Sequence, residues 1–428
     1  MGKFLDDTAL EAIGENRWRA NLQKGWRIGR VPNGGYVLAI VGRAISQSLN
    51  DADPLSINAF YLEPTQLGEA EVEVEILRLG KGTQFASARL YQDGNLKIVA
   101  NAAYTDLDRL KGPTNTIMTP PNVPPFETID VPKHNVLEIH NTIDTRIVSG
   151  AEFFADQQPT NTGEFIAYMQ YVDGADIHPI DLLMFGDMMP PPSFTLVPNG
   201  GYVLAIVGRA ISQSLNHADP LSINAFYLEP TQLGEAEVEV EILRLGKGTQ
   251  FASARLYQEG NLKIVANAAY TDLGRLKGPT NTIMTPPDVP PFEAIDVPKH
   301  NVLEIHNTID TRIVSGAEFF ADQQPTNTGE FIAYMQYVDG ADIHPIDLLM
   351  FGDMMPPPSF TLVPNVGWVP TVEMTVQLRG KPAPGPILCR ARSHTLIKGV
   401  TEQDCEIWDA NGDLVAVGRQ TMKVRSVS

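Results

Sequence analysis

Cysteine is almost absent from this chain: Cys389 and Cys405 are the only two in 428 residues. A disulfide framework is thereby excluded, and the expected setting is a reducing one, the cytoplasm. Positive charge is also scarce. The 32 Lys and Arg face 51 Asp and Glu, for a net charge of −19. That balance argues against DNA or RNA as a partner, because neutralising phosphates needs clustered basic residues. It disfavours an anionic membrane surface too, while leaving room for a small anionic ligand on a local basic patch. No apolar run approaches the length of a membrane span. The opening Met1-Gly2-Lys3-Phe4-Leu5-Asp6-Asp7 lacks both the apolar core of a signal peptide and the hydroxyl residue of a myristoylation signal. The His and Cys residues show no metal-ligand spacing. The serines lack the nucleophile elbow of α/β-hydrolases, and no phosphate-binding glycine loop occurs. Metal-assisted, elbow-serine and nucleotide chemistry thus have no motif to rest on, and no cofactor is implied.

What the chain has in excess is repetition. Residues 34–199 recur as 200–365 with five differences: Asp51/His217, Asp93/Glu259, Asp108/Gly274, Asn122/Asp288 and Thr128/Ala294. Copies this alike point to a recent tandem duplication of coding sequence, or to an assembly error, because an old solenoid drifts further. Removing one copy leaves 262 of the 428 residues, a length that suits two domains.

Within the shorter reading the order of elements is regular. Residues 17–28, with Trp18 and Trp26, read as a strand or hairpin. Asn33 is a helix cap, and the apolar stretch 36–49 carries Val37, Val41, Ala44, Ile45 and Leu49 at helical spacing. Apolar residues surround this helix, so something must wrap it. Strands are expected at 56–62, at 71–79, where glutamates alternate with Val72, Val74 and Ile76, and at 84–92 and 96–105 about an Asp93-Gly94 turn. A Pro-, Thr- and Asn-rich linker spans 109–135, and the pattern restarts. Strands are expected at 142–154 and 164–171, and a short helix at 179–189. In the first copy the second unit then breaks off at Asn199. In the second copy it runs on into strands at 371–378, 387–395, 405–409 and 414–424. A strand–helix–meander unit used twice is the layout of an α+β hotdog fold, an antiparallel sheet around a central helix. The expected division is 1–108, a first hotdog; 136–199, a truncated second half; 200–274, a first-type module lacking its opening strand; a linker at 275–301; and 302–428, a complete second hotdog. The middle pieces either combine as a hybrid hotdog with two helices, stay partly unfolded, or swap between chains.

Several words carry a family resemblance: Asn33-Gly34-Gly35-Tyr36-Val37-Leu38-Ala39, Phe60-Tyr61-Leu62-Glu63-Pro64, His344-Pro345-Ile346-Asp347-Leu348-Leu349 with Gly352-Asp353, Pro370-Thr371-Val372-Glu373, and Arg419-Gln420. Their order resembles acyl-CoA thioesterase-like double hotdog proteins, which carry no such duplicated block. The resemblance implies a site of Asp353, Thr371 and Gln420 that holds a water at a thioester. Asp353 would be the base, with Thr371 and Gln420 fixing water and carboxylate. A helix N-terminal amide would polarise the carbonyl, with Gly34 and Gly35 the weaker candidates for the close backbone approach. Read without the resemblance, Asp353 is a surface or capping carboxylate, Thr371 a strand former and Gln420 a solvated amide. His178-Pro179-Ile180-Asp181 and its copy read as a helix start. The Asp-and-His pattern of the hotdog hydratases is missing from both copies of the site helix.

Asp187 repeats the surroundings of Asp353 without the strands that bring Thr371 and Gln420. Docking the last strands on the distant copy closes a loop of about 170 residues rather than a few, a difference of roughly 3 kcal/mol that favours Asp353. By the same logic the Trp18 strand should pair within 34–108. The resemblance implies hydrolysis of an acyl-CoA to a carboxylic acid and CoA, in a possible homo-oligomer. The other readings are a non-catalytic acyl-binding or scaffold relic, and release of a chain from a carrier protein.

Overall fold

A helix that is apolar on every side needs a cover, and here a sheet supplies it. The computed structural model describes residues 3–28, 31–50, 52–110, 112–116, 124, 128, 143–149, 166–173, 200–215, 218–295, 308–316, 325–364 and 369–424. They belong to two units: residues 1–107 with 120–190, and residues 108–119 with 191–428.

In the first unit α1 (Lys3–Asp7) leads into a hairpin of β1 (Glu11–Gly14) and β2 (Arg17–Leu22), then a ribbon of β3 (Arg27–Ile28) and β4 (Val31–Pro32). Next comes α2 (Gly34–Ser48), capped by Asn33, whose Oδ1 accepts the Tyr36 amide at 2.9 Å. Strands β5 (Asp53–Tyr61), β6 (Gly68–Leu79), β7 (Gln84–Gln92) and β8 (Asn95–Thr105) complete an antiparallel sheet of order β1-β2-β6-β7-β8-β5. Asp93 and Gly94 both have positive φ, 50° and 73°, as a two-residue hairpin turn of the right twist requires. The inner face is lined by the small residues Ala86, Ala88, Ala100 and Ala102, which let the buried Val37, Ile40, Val41 and Ile45 of α2 lie close to the sheet. β2 pairs with β6, so the Trp18 strand joins the 34–108 module.

A short strand from the first linker, β9 (Asn115–Thr116), belongs to the second unit, whereas β10 (Ile143–Ser149) and β11 (Ile166–Tyr171) pair with each other in the first. The second unit repeats the module as α3 (Gly200–Ser214), β12 (Asp219–Tyr227), β13 (Glu237–Leu245), β14 (Gln250–Gln258) and β15 (Asn261–Thr271). It continues with β16 (Ile309–Ser315), β17 (Glu330–Tyr337) and a five-residue helix, α4 (Asp347–Phe351). Last come β18 (Thr371–Leu378), β19 (Ile387–Arg392), β20 (Thr395–Ile397), β21 (Val400–Trp408) and β22 (Leu414–Lys423). One sheet runs β13-β14-β15-β12-β18-β22-β21-β19-β17-β16, with β20 on β21 and β9 on β20. Its two halves meet where β12 and β18 pair antiparallel, Asn224 opposite Thr375 and Phe226 opposite Glu373.

This arrangement corrects the expectation that the middle of the chain is left over. Residues 200–274 are the hotdog partner of 302–428, and among the described residues β10 and β11 make no hybrid with them. The reason is again loop closure. The connection from β15 to β16 is far shorter than one from β8 would be. The expected linkers are also more structured than their composition suggests: Phe292 is buried, with the Arg312 guanidinium 3.7 Å from its ring centroid.

Candidate active site

Two glycines of α3 let it touch α4. A Cβ on Gly201 would lie 2.5 Å from the Met350 carbonyl oxygen, and one on Gly208 would lie 2.5 Å from Leu349 Cδ1. At Gly201 no larger residue fits without displacing backbone, whereas at Gly208 the Leu349 side chain would have to give way. The N-terminus of α3 is thereby brought to the end of α4, where the chain turns through Gly352 into Asp353.

There the Gly201 amide donates to Asp353 Oδ2 at 2.8 Å, and Gln420 Nε2 donates to Asp353 Oδ1 at 2.8 Å. Thr371 Oγ1 lies 3.5 Å from Gln420 Oε1, longer than an ordinary O–H···O hydrogen bond. Thr371 opens β18 and Gln420 sits on the neighbouring β22, so one pair of strands positions both. Asp353 is 3% exposed and Gln420 1%. Burial pushes the Asp353 carboxyl up from 3.8 to about 7, and the amides of Gly201 and Gly200 hold it from rising further.

The sequence-predicted Asp353, Thr371 and Gln420 are therefore neighbours. Gly34 and Gly35 are not the glycines beside them: they open α2 in the other unit, and the amide at Asp353 belongs to Gly201, one repeat later. The cause is the same exchange of module copies that governs the fold. Asp187 and the His178–Asp181 word lie outside the described residues. In the second copy of that word Asp347 accepts the His344 amide at 2.9 Å, as a residue at a helix start does, and lies 3.5 Å from Arg209. Among the described residues no group of three or more His, Cys, Asp and Glu is arranged to hold a metal ion.

Three residues near the site escape sequence reasoning. Tyr227 donates its hydroxyl to the Gly200 carbonyl at 2.8 Å, fixing the first turn of α3. Burial raises its phenol well above the ordinary value, and the Asp353 and Glu373 carboxylates add to this. Its signal was the second printing of Phe60-Tyr61-Leu62-Glu63-Pro64 as Phe226-Tyr227-Leu228-Glu229-Pro230. Glu373, 3% exposed, accepts from Asn224 Nδ2 at 2.7 Å and Thr375 Oγ1 at 2.9 Å, tying β12 to β18 beneath the site. Gln403 stands opposite Gln420 across β21 and β22, fully buried, and among the described residues neither polar atom of its amide has a hydrogen-bond partner. Nothing in its sequence context marks it. Tyr227→Phe should lose about 1 kcal/mol of stability with the hydrogen bond to Gly200. If α3 positions the site, kcat/KM should fall roughly tenfold, because helix misplacement propagates to Asp353. Thermal melting beside steady-state kinetics reads both.

Two hotdog modules in one continuous sheet, with a buried carboxylate where their helices meet, define a double hotdog protein. Comparison with known families gives the same answer. Residues 286–424 match the acyl-CoA thioesterase C-terminal domain, and residues 22–105 and 189–272 each match the acyl-CoA thioesterase N-terminal domain. The chain belongs to the acyl-CoA thioesterase family, with the N-terminal domain present twice. The thioesterase-like protein TwmA of Talaromyces wortmannii is 30% identical over an alignment of 149 residues that covers 29% of this chain and 43% of that protein. The chain thus spans less than half the length of that relative. Among solved structures it is similar to the tesB protein of Mycobacterium avium subs paratuberculosis, at 15% identity and a TM-score of 0.44, over 55% of this chain and 91% of that one. It is also similar to acyl-CoA thioesterase II TesB2 of Mycobacterium marinum, at 16% and 0.44, over 54% and 92%.

Proposed function

We infer that the second unit hydrolyses acyl-CoA thioesters, with Asp353 as the base that activates water. The observation that carries this reading is a buried carboxylate, held at both oxygens by Gly201 and Gln420, with a pKa near 7. A base poised there is deprotonated often enough at neutral pH to take a proton and basic enough to pull it. Water attacks the thioester carbonyl carbon as Asp353 takes its proton. The C–S bond then breaks, CoA leaves as thiolate, and the proton passes to the sulfur. Gln420 keeps Asp353 in one orientation, and the Thr371 hydroxyl beside it helps to hold the attacking water. The amide end of α3 supplies positive potential where negative charge develops.

The test is CoA release from acyl-CoAs of short, medium and long chain, measured against pH. Since the deprotonated form acts, the rate should climb as pH rises through about 7 and then level off. Absence of release with every chain length from protein that is folded by circular dichroism contradicts the activity. A rate independent of pH between about 5 and 9 contradicts the role of Asp353.

A further inference from the structure

The repeat provides an internal control on what covers each module. Residues 68–79 and 234–245 are identical in sequence, yet their strands have different neighbours. β6 is paired along its outer edge with β2, from Arg17 opposite Glu73 to Leu22 opposite Gly68. β13 ends its sheet, and among the described residues its strand partner is β14 alone. It is also shorter: β6 starts at Gly68, whereas β13 starts at Glu237, the equivalent of Glu71.

Burial follows. Val72 and Val74 are buried, and their equivalents Val238 and Val240 are half-buried. Tyr36 and Ile40 are 0% exposed on α2, but Tyr202 and Ile206 are 50% and 39% exposed on α3. The cover in the first module is the segment before α2. Trp26 stacks on Tyr36 with ring centroids 5.4 Å apart, and Phe4 meets Trp26 edge-on at 5.0 Å. Trp18 Nε1 donates to Ser48 Oγ at 2.9 Å. Arg17 lies 3.2 Å from both Glu71 and Glu73. The second module presents the same tyrosine, serine and glutamates as Tyr202, Ser214, Glu237 and Glu239.

Charge selects the occupant. Glu237 and Glu239 repeat the Glu71 and Glu73 that Arg17 meets on the identical strand β6. A strand with arginines at alternate positions answers them, as Arg17 does in the first module. The chain's own segment of this kind is engaged on β6, so the occupant comes from another polypeptide. We propose that β13 and the Tyr202–Ile206 face of α3 form a docking site for an extended strand of a partner protein. That strand carries arginine at two alternate positions and apolar residues between, with an aromatic further on that stacks on Tyr202. Main-chain pairing along the edge supplies affinity, and the glutamates and Tyr202 supply selectivity.

A synthetic peptide of residues 3–27 is the probe, titrated into the full chain and followed by calorimetry and hydrogen exchange. Saturable one-to-one binding with new protection over 237–245 is expected. A peptide carrying Arg17→Glu and Arg19→Glu should bind at least tenfold more weakly, as should the full chain carrying the surface change Glu239→Arg. Absent binding, protection confined to 68–79, or equal binding of the Arg17→Glu/Arg19→Glu peptide would each overturn the proposal. So would concentration-dependent dimerisation that protects 237–245 without peptide, since a second copy would then close the edge.

Discussion

Asp353→Asn should cost catalysis on the order of 10²–10⁴-fold while making the protein more stable at alkaline pH. The two effects share one cause. The folded protein raises the carboxyl from 3.8 to about 7 by burying it. The folded state therefore binds a proton that the unfolded state has already lost over this interval. An acid whose folded pKa is raised takes stability away as pH climbs from about 4 to about 7, and above 7 the whole penalty stands. A shift of this size corresponds to roughly 4 kcal/mol at most. Asparagine keeps an oxygen for the Gly201 amide and removes the charge, so the charge penalty disappears with the base; its Nδ2 then faces Gln420 Nε2, and the cost of that mismatch is the same at every pH. Denaturant unfolding of both forms at about pH 5 and pH 9 should show the variant's advantage widening with pH. A stability difference that does not shift in the variant's favour between the two pH values, or an equally active variant, would contradict a buried, ionised carboxylate in the site.

The second large effect is expected at Gly201→Ala. Its added carbon would lie 2.5 Å from the Met350 carbonyl oxygen, 2.8 Å from that of Leu349 and 2.7 Å from Asp353 Cβ. Two of these are backbone atoms, so relief requires α3 and α4 to separate. Overpacking of this kind costs about 1–3 kcal/mol. The chemical cost is larger, because separation lengthens the 2.8 Å amide contact that fixes Asp353. Displacement of a positioned base by about 1 Å loses on the order of 10²-fold in rate. The rate should thus fall by more than the stability loss accounts for. Thermal melting together with kcat/KM at a temperature where the variant is fully folded separates the two. A variant with unchanged kcat/KM would show that the helix crossing does not set the site.

Much of this was legible in the chain. Alternation of glutamate with valine marked β6 and β13, Asp93-Gly94 marked a hairpin, and an all-round apolar stretch after Asn33 marked the wrapped helix. The order of words after Gly352 placed Asp353, Thr371 and Gln420 on elements that do converge. Less legible was which copy partners which. Identical modules have identical contact energies, so pattern cannot choose between Gly35 and Gly201; chain connectivity can. The closure argument that separates Asp353 from Asp187 applies equally to 200–274, and followed through it yields the observed shared sheet. Tyr227 acts through a backbone carbonyl, and Gln403 is buried by strands from elsewhere in the chain. Neither property has a local sequence mark.

The most direct measurement is CoA release by the full chain carrying Asp353→Asn beside the full chain carrying Asp187→Asn, the same substitution in two copies of one word. Hydrolysis should collapse in the first and stay near the unsubstituted rate in the second. Equal loss in both, or loss only with Asp187→Asn, would contradict the assignment of the reaction to the 200–428 pair of hotdogs.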